Sequence, residues 1–211
     1  MDTLQENTPT TKTTLASLRE GVSASISVKQ DILSDPTLLP TLASLANILV
    51  EAFRRGNRLI LAGNGGSAAD AQHIAAEFVS RFEFDRPALP ALSLATDTSM
   101  LTAIGNDYGY PQLFARQLQA QGREGDVFIG ITTSGKSANV LTAARICKEK
   151  KIFSALLTGK NSISESASDL ILQVPSSNTA RIQEAHILLG HLLCKEVEGA
   201  LFTPPARDTV K

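Results

Sequence analysis

The chain has 211 residues, with 20 Lys and Arg against 21 Asp and Glu, and a net charge of −1. A nucleic-acid-binding domain carries a basic excess; none is present, and aromatic residues at 5% with no Trp supply no base-stacking platform. A hydrophobic fraction of 43% excludes disorder as the main state, and the length suits one domain with a sizeable core.

The two cysteines, Cys147 and Cys194, form no CxxC pattern and read as buried thiols of a reducing compartment. The N-terminal stretch has no basic segment followed by an apolar core, and no apolar run approaches the roughly 20 residues of a membrane span. The expectation is a soluble cytoplasmic protein without a membrane or nucleic-acid partner. Residues 1–12 and 203–211 read as flexible ends, and 13–202 as a single domain.

In chain order, Leu15, Leu18, Val22, Ile26 and Leu33 recur at helical spacing. A second helix is expected after Ser34-Asp35-Pro36, with Leu39, Leu42, Leu45, Ile48, Leu49 and Phe53 on its apolar face. Then the rhythm changes. Arg58–Gly63, Ala91–Ala95, Asp126–Thr132, Ile152–Thr158 and Leu170–Val174 read as short buried strands. Most are continuous apolar runs, as in parallel strands covered on both faces. Helices are expected between them at Ser67–Phe82, Pro111–Gln121 and Ser137–Lys150, and last at Thr179–Leu201. The alternation predicts an α/β fold, an open parallel sheet with helices on both sides. The last helix is apolar around much of its circumference, which predicts burial, with a partner subunit as the expected cover and a central place in its own monomer as the alternative.

Two turns stand out. Asn64-Gly65-Gly66-Ser67 follows a strand and opens a helix. Glycines let a ligand approach the backbone, and a helix N-terminus attracts anions. Thr132, Thr133, Ser134 and Ser137 place four hydroxyls at a second strand-to-helix turn. Each could equally be a plain turn, with Ser67 or Ser137 as helix cap. Together, at the carboxyl ends of parallel strands, they point to a phosphate ester.

Three further features could carry chemistry. His73 and Glu77 lie four apart on one helix face, suiting a base with a polarising or metal-binding partner. On the last helix, His186 lies about 60° from Gln183 and His191 about 80° away on the other side. The two histidines can hardly serve one site, and spacing alone leaves the choice open. Gly105-Asn106-Asp107-Tyr108-Gly109 reads as a turn that could set Asp107 near a sugar hydroxyl.

The stretches GNGGSAADAQHIAAEFVSRF, TAIGNDYG, GREGDVFIGITTSGKSANV, LLTGK and ARIQEAHILLGHLLCKEVE together resemble the sugar-isomerase (SIS) family, from about Arg58 to Val197. The resemblance implies a three-layer α/β/α sandwich with a five-stranded parallel sheet, assembled as a homotetramer. It implies ketose–aldose isomerisation of sedoheptulose 7-phosphate to D-glycero-D-manno-heptose 7-phosphate through an enediol, for bacterial heptose and lipopolysaccharide precursors. Substrate-binding positions then fall on Asn64, Gly65, Gly66, Ser67, His73, Glu77, Asn106, Asp107, Thr132, Thr133, Ser134, Ser137 and Gln183. One zinc ion per subunit would be held by His73, Glu77, Gln183 and His191. Glu77 and His191 would be base and acid, so the resemblance favours His191 over His186.

The sequence departs from the family pattern at Lys136, where Asn is usual, at Thr132, where Ser is frequent, and at Asn161-Ser162-Ile163-Ser164, where a glycine-rich stretch is common. Rival readings are a tetrameric regulator of a replication initiator, a non-catalytic sugar-phosphate sensor, and an isomerase of another sugar phosphate. The regulators typically lack the helix Glu, and Glu77 is present.

Overall fold

A computed structural model describes residues 14–161 and 167–204. Residues 1–12 and most of the expected C-terminal tail lie outside the described residues, as do Ser162, Ile163 and Ser164 of the departing segment.

The elements are α1 (Leu15–Ser34), α2 (Leu38–Arg54), β1 (Leu59–Gly63), α3 (Gly66–Val79), β2 (Ala91–Ser93), α4 (Thr98–Tyr108), α5 (Leu113–Gln121), β3 (Val127–Thr132), α6 (Ala138–Glu149), β4 (Phe153–Thr158), β5 (Leu170–Gln173) and α7 (Thr179–Leu201). A 3-10 turn, Tyr110–Gln112, leads into α5. Asp35 starts α2: its Oδ1 accepts from the Thr37 and Leu38 amides at 2.7 and 3.0 Å.

The five strands are all parallel, in the order β2-β1-β3-β4-β5. Successive residues point to opposite faces, and both faces are apolar. Leu59, Leu61, Val127, Ile129, Ile131, Ala155 and Leu157 face α2, α3 and α7. Ile60, Ala62, Phe128 and Leu156 face α5 and α6. The three-layer sandwich follows. Chain order reverses at β1, with β2 on one side and β3 on the other. At such a point the connections leave to opposite faces and a crevice opens beyond the strand ends.

One helix differs from the sequence expectation. The segment Gly105–Gly109 reads as a turn, yet Gly105, Asn106 and Asp107 belong to α4, and Gly109 ends it. Asp97 caps the start by accepting from the Met100 amide at 2.8 Å. Gly105 costs a helix interior about 1 kcal/mol relative to alanine, which weakens the local signal. Leu101 and Ile104 pack on the core and outweigh it.

α7 packs against α1, α2 and α3. Ile182, Ala185, His186, Leu189, Leu193, Cys194 and Val197 are buried within this one subunit. The helix is central in its own chain, so most of its apolar surface is covered without a partner. Exposed apolar residues concentrate on α1, where Leu15, Leu18, Val22, Ile26 and Leu33 are each at least half exposed. Among the described residues, no single helix is long and apolar enough to cross a membrane.

α3 and α7 come unusually close at Gly190, where an added Cβ would lie 2.5 and 2.8 Å from two carbons of Ile74. Gly190→Ala should therefore destabilise the fold by about 1–3 kcal/mol through overpacking. Adding Ile74→Val, which removes one of the crowding methyls, should recover part of the loss. Urea unfolding of the single and double variants checks this; equal stability of Gly190→Ala and the parent would show that the helices can separate freely.

Candidate active site

Both strand-to-helix turns sit side by side at the carboxyl ends of the central strands β1 and β3. Gly65, with φ 56° and ψ −122°, is the residue before α3, a conformation glycine reaches without strain. Ser67 is buried as the second residue of α3, so it is not the cap. Ser137 does hold the cap position of α6, but its hydroxyl lies 2.9 Å from Thr132 Oγ1 and does not close the helix end. The Ser134 hydroxyl accepts from the Lys136 amide at 3.1 Å. The residues at the cap positions of α3 and α6 make no side-chain cap bond, and of the opening amides of α6 Asn139 Oδ1 takes that of Val140 at 3.0 Å. The two helix starts at the crevice thus keep amide hydrogens and positive dipole ends for an anion.

The turns are tied to each other. Asn64 Nδ2 donates to Asn139 Oδ1 at 2.9 Å, and Asn139 Nδ2 donates back to Asn64 Oδ1 at 2.8 Å. The Tyr110 hydroxyl donates to the same Asn64 oxygen at 2.8 Å. Asn139 and Tyr110 are absent from the sequence-derived site. The one signal for Asn139 is an amide on an otherwise apolar helix face, and its 1% exposure obliges it to find partners. Beside the turn a cleft of about 400 Å³ opens, lined by Asn64, Gly65 and Ala68 on one side and Leu101, Thr102, Gly105 and Tyr110 on the other. Asn106 and Asp107 follow Gly105 and are exposed; among the described residues their side chains hydrogen-bond only to one another, at 2.8 Å.

The other half of the site runs down α3. His73 lies seven residues after Gly66, two turns less about 20°, so both lie on one stripe about 10 Å apart, with Asp70 and Glu77 beside them. Burial pushes the Asp70 carboxyl up while His73 pulls it back. α7 faces this stripe in parallel register. The Gln183 amide rests against Gly66, in the space a side chain there would fill, and His191 meets His73. His191 Nε2 is 3.1 Å from His73 Nε2, which is 3.2 Å from Glu77 Oε1. Phe82 packs on the His191 ring with centroids 5.6 Å apart.

The donor atoms of His73, Glu77 and His191 all lie within 4.8 Å of one another. Two imidazoles and a carboxylate are a donor set that zinc accepts. Such a group fits these three residues by donor type and spacing; Gln183 lies about 80° round α7 from His191 and two turns nearer its start, against Gly66.

The two histidines of α7 separate cleanly. His186 is fully buried and donates from Nε2 to the Thr158 carbonyl at 3.2 Å. Among the described residues its Nδ1 has no partner. It is a core residue, and His191 is the one that reaches the site.

A fold with its crevice at a chain-order reversal, two uncapped helix ends there and a His/Glu/His cluster below defines a sugar-phosphate-handling α/β protein. Residues 11–158 match the SIS domain family, and the chain belongs to it. Within that family it stands among the phosphoheptose isomerases. It is 55% identical over 186 residues to the phosphoheptose isomerase of Aneurinibacillus thermoaerophilus, covering 88% of this chain and 94% of that one. It is 56% identical over 179 residues to phosphoheptose isomerase 2 of Campylobacter jejuni, covering 84% and 89%. The solved phosphoheptose isomerase of Francisella tularensis superposes with a TM-score of 0.83 at 35% identity, covering 89% of this chain and all of that one. That of Neisseria gonorrhoeae gives 0.78 at 39%, covering 87% and 98%.

Burial pushes the His186 pKa from 6.5 down to about 4, the Thr158 hydrogen bond opposing it. Below pH 6.5 the unfolded chain takes up a proton that the native state refuses until about pH 4. Stability should therefore fall across this window by on the order of 3 kcal/mol from this residue alone. His186→Leu should remove that component, since the Thr158 carbonyl keeps the Val174 amide as a donor at 2.9 Å. Urea midpoints at pH 7 and pH 5 measure it; an unchanged pH dependence in the variant would show that His186 is not the source.

Proposed function

We propose that this chain interconverts sedoheptulose 7-phosphate and D-glycero-D-manno-heptose 7-phosphate, with Glu77 as base and His191 as acid. The observation that carries the reading is the convergence of His73, Glu77 and His191 on the stripe that begins at the phosphate-type turn. Two turns of α3, about 10 Å, separate the turn from the cluster, which suits a sugar phosphate with several carbons between phosphate and carbonyl.

The phosphate is held by the free amides at the starts of α3 and α6 and by the hydroxyls of Ser67, Thr132, Thr133, Ser134 and Ser137. No formal positive charge is required there. Asn106, Asp107 and the Gln183 amide take the sugar hydroxyls. Glu77 removes the C1 proton, leaving an enediol, and returns the proton at C2. His191 passes the proton between the two oxygens. His73 lies between them, its Nε2 3.1 Å from His191 Nε2 and 3.2 Å from Glu77 Oε1. Zinc, held by His73, Glu77 and His191 with Gln183 as fourth ligand, would polarise the carbonyl.

The assembly proposed is a cytoplasmic homotetramer. The exposed apolar stripe of α1, from Leu15 to Leu33, supports it, since monomers rarely leave such a patch uncovered.

Glu77→Gln keeps size and shape and removes the base. It should lower kcat on sedoheptulose 7-phosphate by about 100- to 10,000-fold. Near-native activity in that variant would falsify the assignment. Protein purified without chelator should contain one zinc per chain by elemental analysis; no zinc, together with no response of activity to added zinc, would remove the metal from the mechanism. Sedimentation should give four chains per particle, and Val22→Asp on α1 should break it into smaller species.

A further inference from the structure

The far end of α3, where Glu77 sits, is gripped from α7 by a buried ion pair. Arg86 and Glu198 have side chains only 2% and 1% exposed, and Arg86 Nε donates to Glu198 Oε1 at 3.0 Å. The last carbonyls of a helix have no partner within the helix. Here the guanidinium supplies one. Arg86 Nη2 donates to the Glu77 carbonyl at 2.9 Å, and Nη1 to the Phe78 carbonyl at 2.6 Å, with the Ser80 and Pro87 carbonyls at 3.4 and 3.1 Å. Glu198 also accepts from the Phe82 amide at 2.9 Å and the Glu83 amide at 2.7 Å. One carboxylate on α7 thereby holds the exit of α3, and through Arg86 holds the backbone of Glu77 itself.

The placement on α7 matters. Glu198 is seven residues beyond His191, two turns less about 20°, so both lie on the same face of that helix. α7 presents His191 to the site and Glu198 to the segment that leaves the helix carrying Glu77. Apolar side chains can often replace a buried ion pair with no loss of stability. What they cannot do is hold two helix carbonyls and two amides in one set geometry.

We propose that Arg86 and Glu198 are positioning residues for the isomerisation, fixing the backbone of Glu77 relative to His191. Phe82, held by its amide and packed against the His191 ring, belongs to the same frame. The inference rests on Glu77 acting as the base. If its peptide can shift, the carboxylate no longer meets the substrate carbon in the required line. The phosphate end, about three turns from Glu77 along α3, is untouched.

The test uses two changes in the full-length, zinc-supplemented protein. Arg86→Lys keeps a charge for Glu198 but cannot span the Glu77 and Phe78 carbonyls together. Arg86→Met with Glu198→Leu replaces the pair by apolar groups. Both should lower kcat on sedoheptulose 7-phosphate by about 10- to 100-fold, as losses of supporting contacts around metal and catalytic ligands do. KM should stay within about twofold, the pattern of a contact used only in the transition state. Native kcat in either variant, with a native near-ultraviolet circular dichroism spectrum, overturns the proposal. So does failure of both to fold, because the pair is then structural. Glu77→Gln is assayed in parallel: if it stays active the base assignment fails, whereas if it is dead and the Arg86 variants are fully active, only the positioning role fails.

Discussion

The contact on which the site depends is the parallel packing of α3 against α7. Neither helix carries a complete set of chemical groups. α3 brings His73 and Glu77, α7 brings His191 and Gln183, and the pair works only if the two stripes face each other in register. Gly190 sets the distance by letting Ile74 into the space a side chain would fill. Gln183 against Gly66 and His191 against His73 show the register held at both levels.

The sheet supplies the other constraint. Because β1 and β3 are neighbours at the chain-order reversal, the two turns that leave them must open into one crevice. Asn64 and Asn139 then lock these turns together through paired amides, with Tyr110 adding a third donor. Anion recognition built this way uses backbone and hydroxyl groups. A net charge of −1 is therefore no obstacle to a phosphate ester in such a crevice.

The alternatives weighed from sequence differ in what they need from the His73 stripe. A sensor or a regulator needs the phosphate turns but no base. In this chain Glu77 is present, its carboxylate lies within 3.2 Å of His73, and its carbonyl is held by Arg86. Relatives at 55% and 56% identity over most of the chain are phosphoheptose isomerases. The departures at Lys136 and Thr132 leave the hydroxyl cradle intact, since Thr132 Oγ1 still pairs with Ser137.

The sequence by itself determined the α/β class, the five strands, most of the helices and the two strand-to-helix turns at the crevice. These are local properties: apolar runs, caps and glycines report on the few residues around them. It missed α4, where Gly105 masked a helix that core contacts sustain, and it read α7 as needing a neighbour's cover when its own chain supplies most of it. The tertiary structure alone separated His186 from His191, because their difference is one of surroundings, a buried carbonyl for one and His73 for the other. It also revealed Asn139, Tyr110 and the Arg86–Glu198 pair. Their partners lie far away along the chain, so no local pattern marks them, and only folding brings such groups within hydrogen-bond reach.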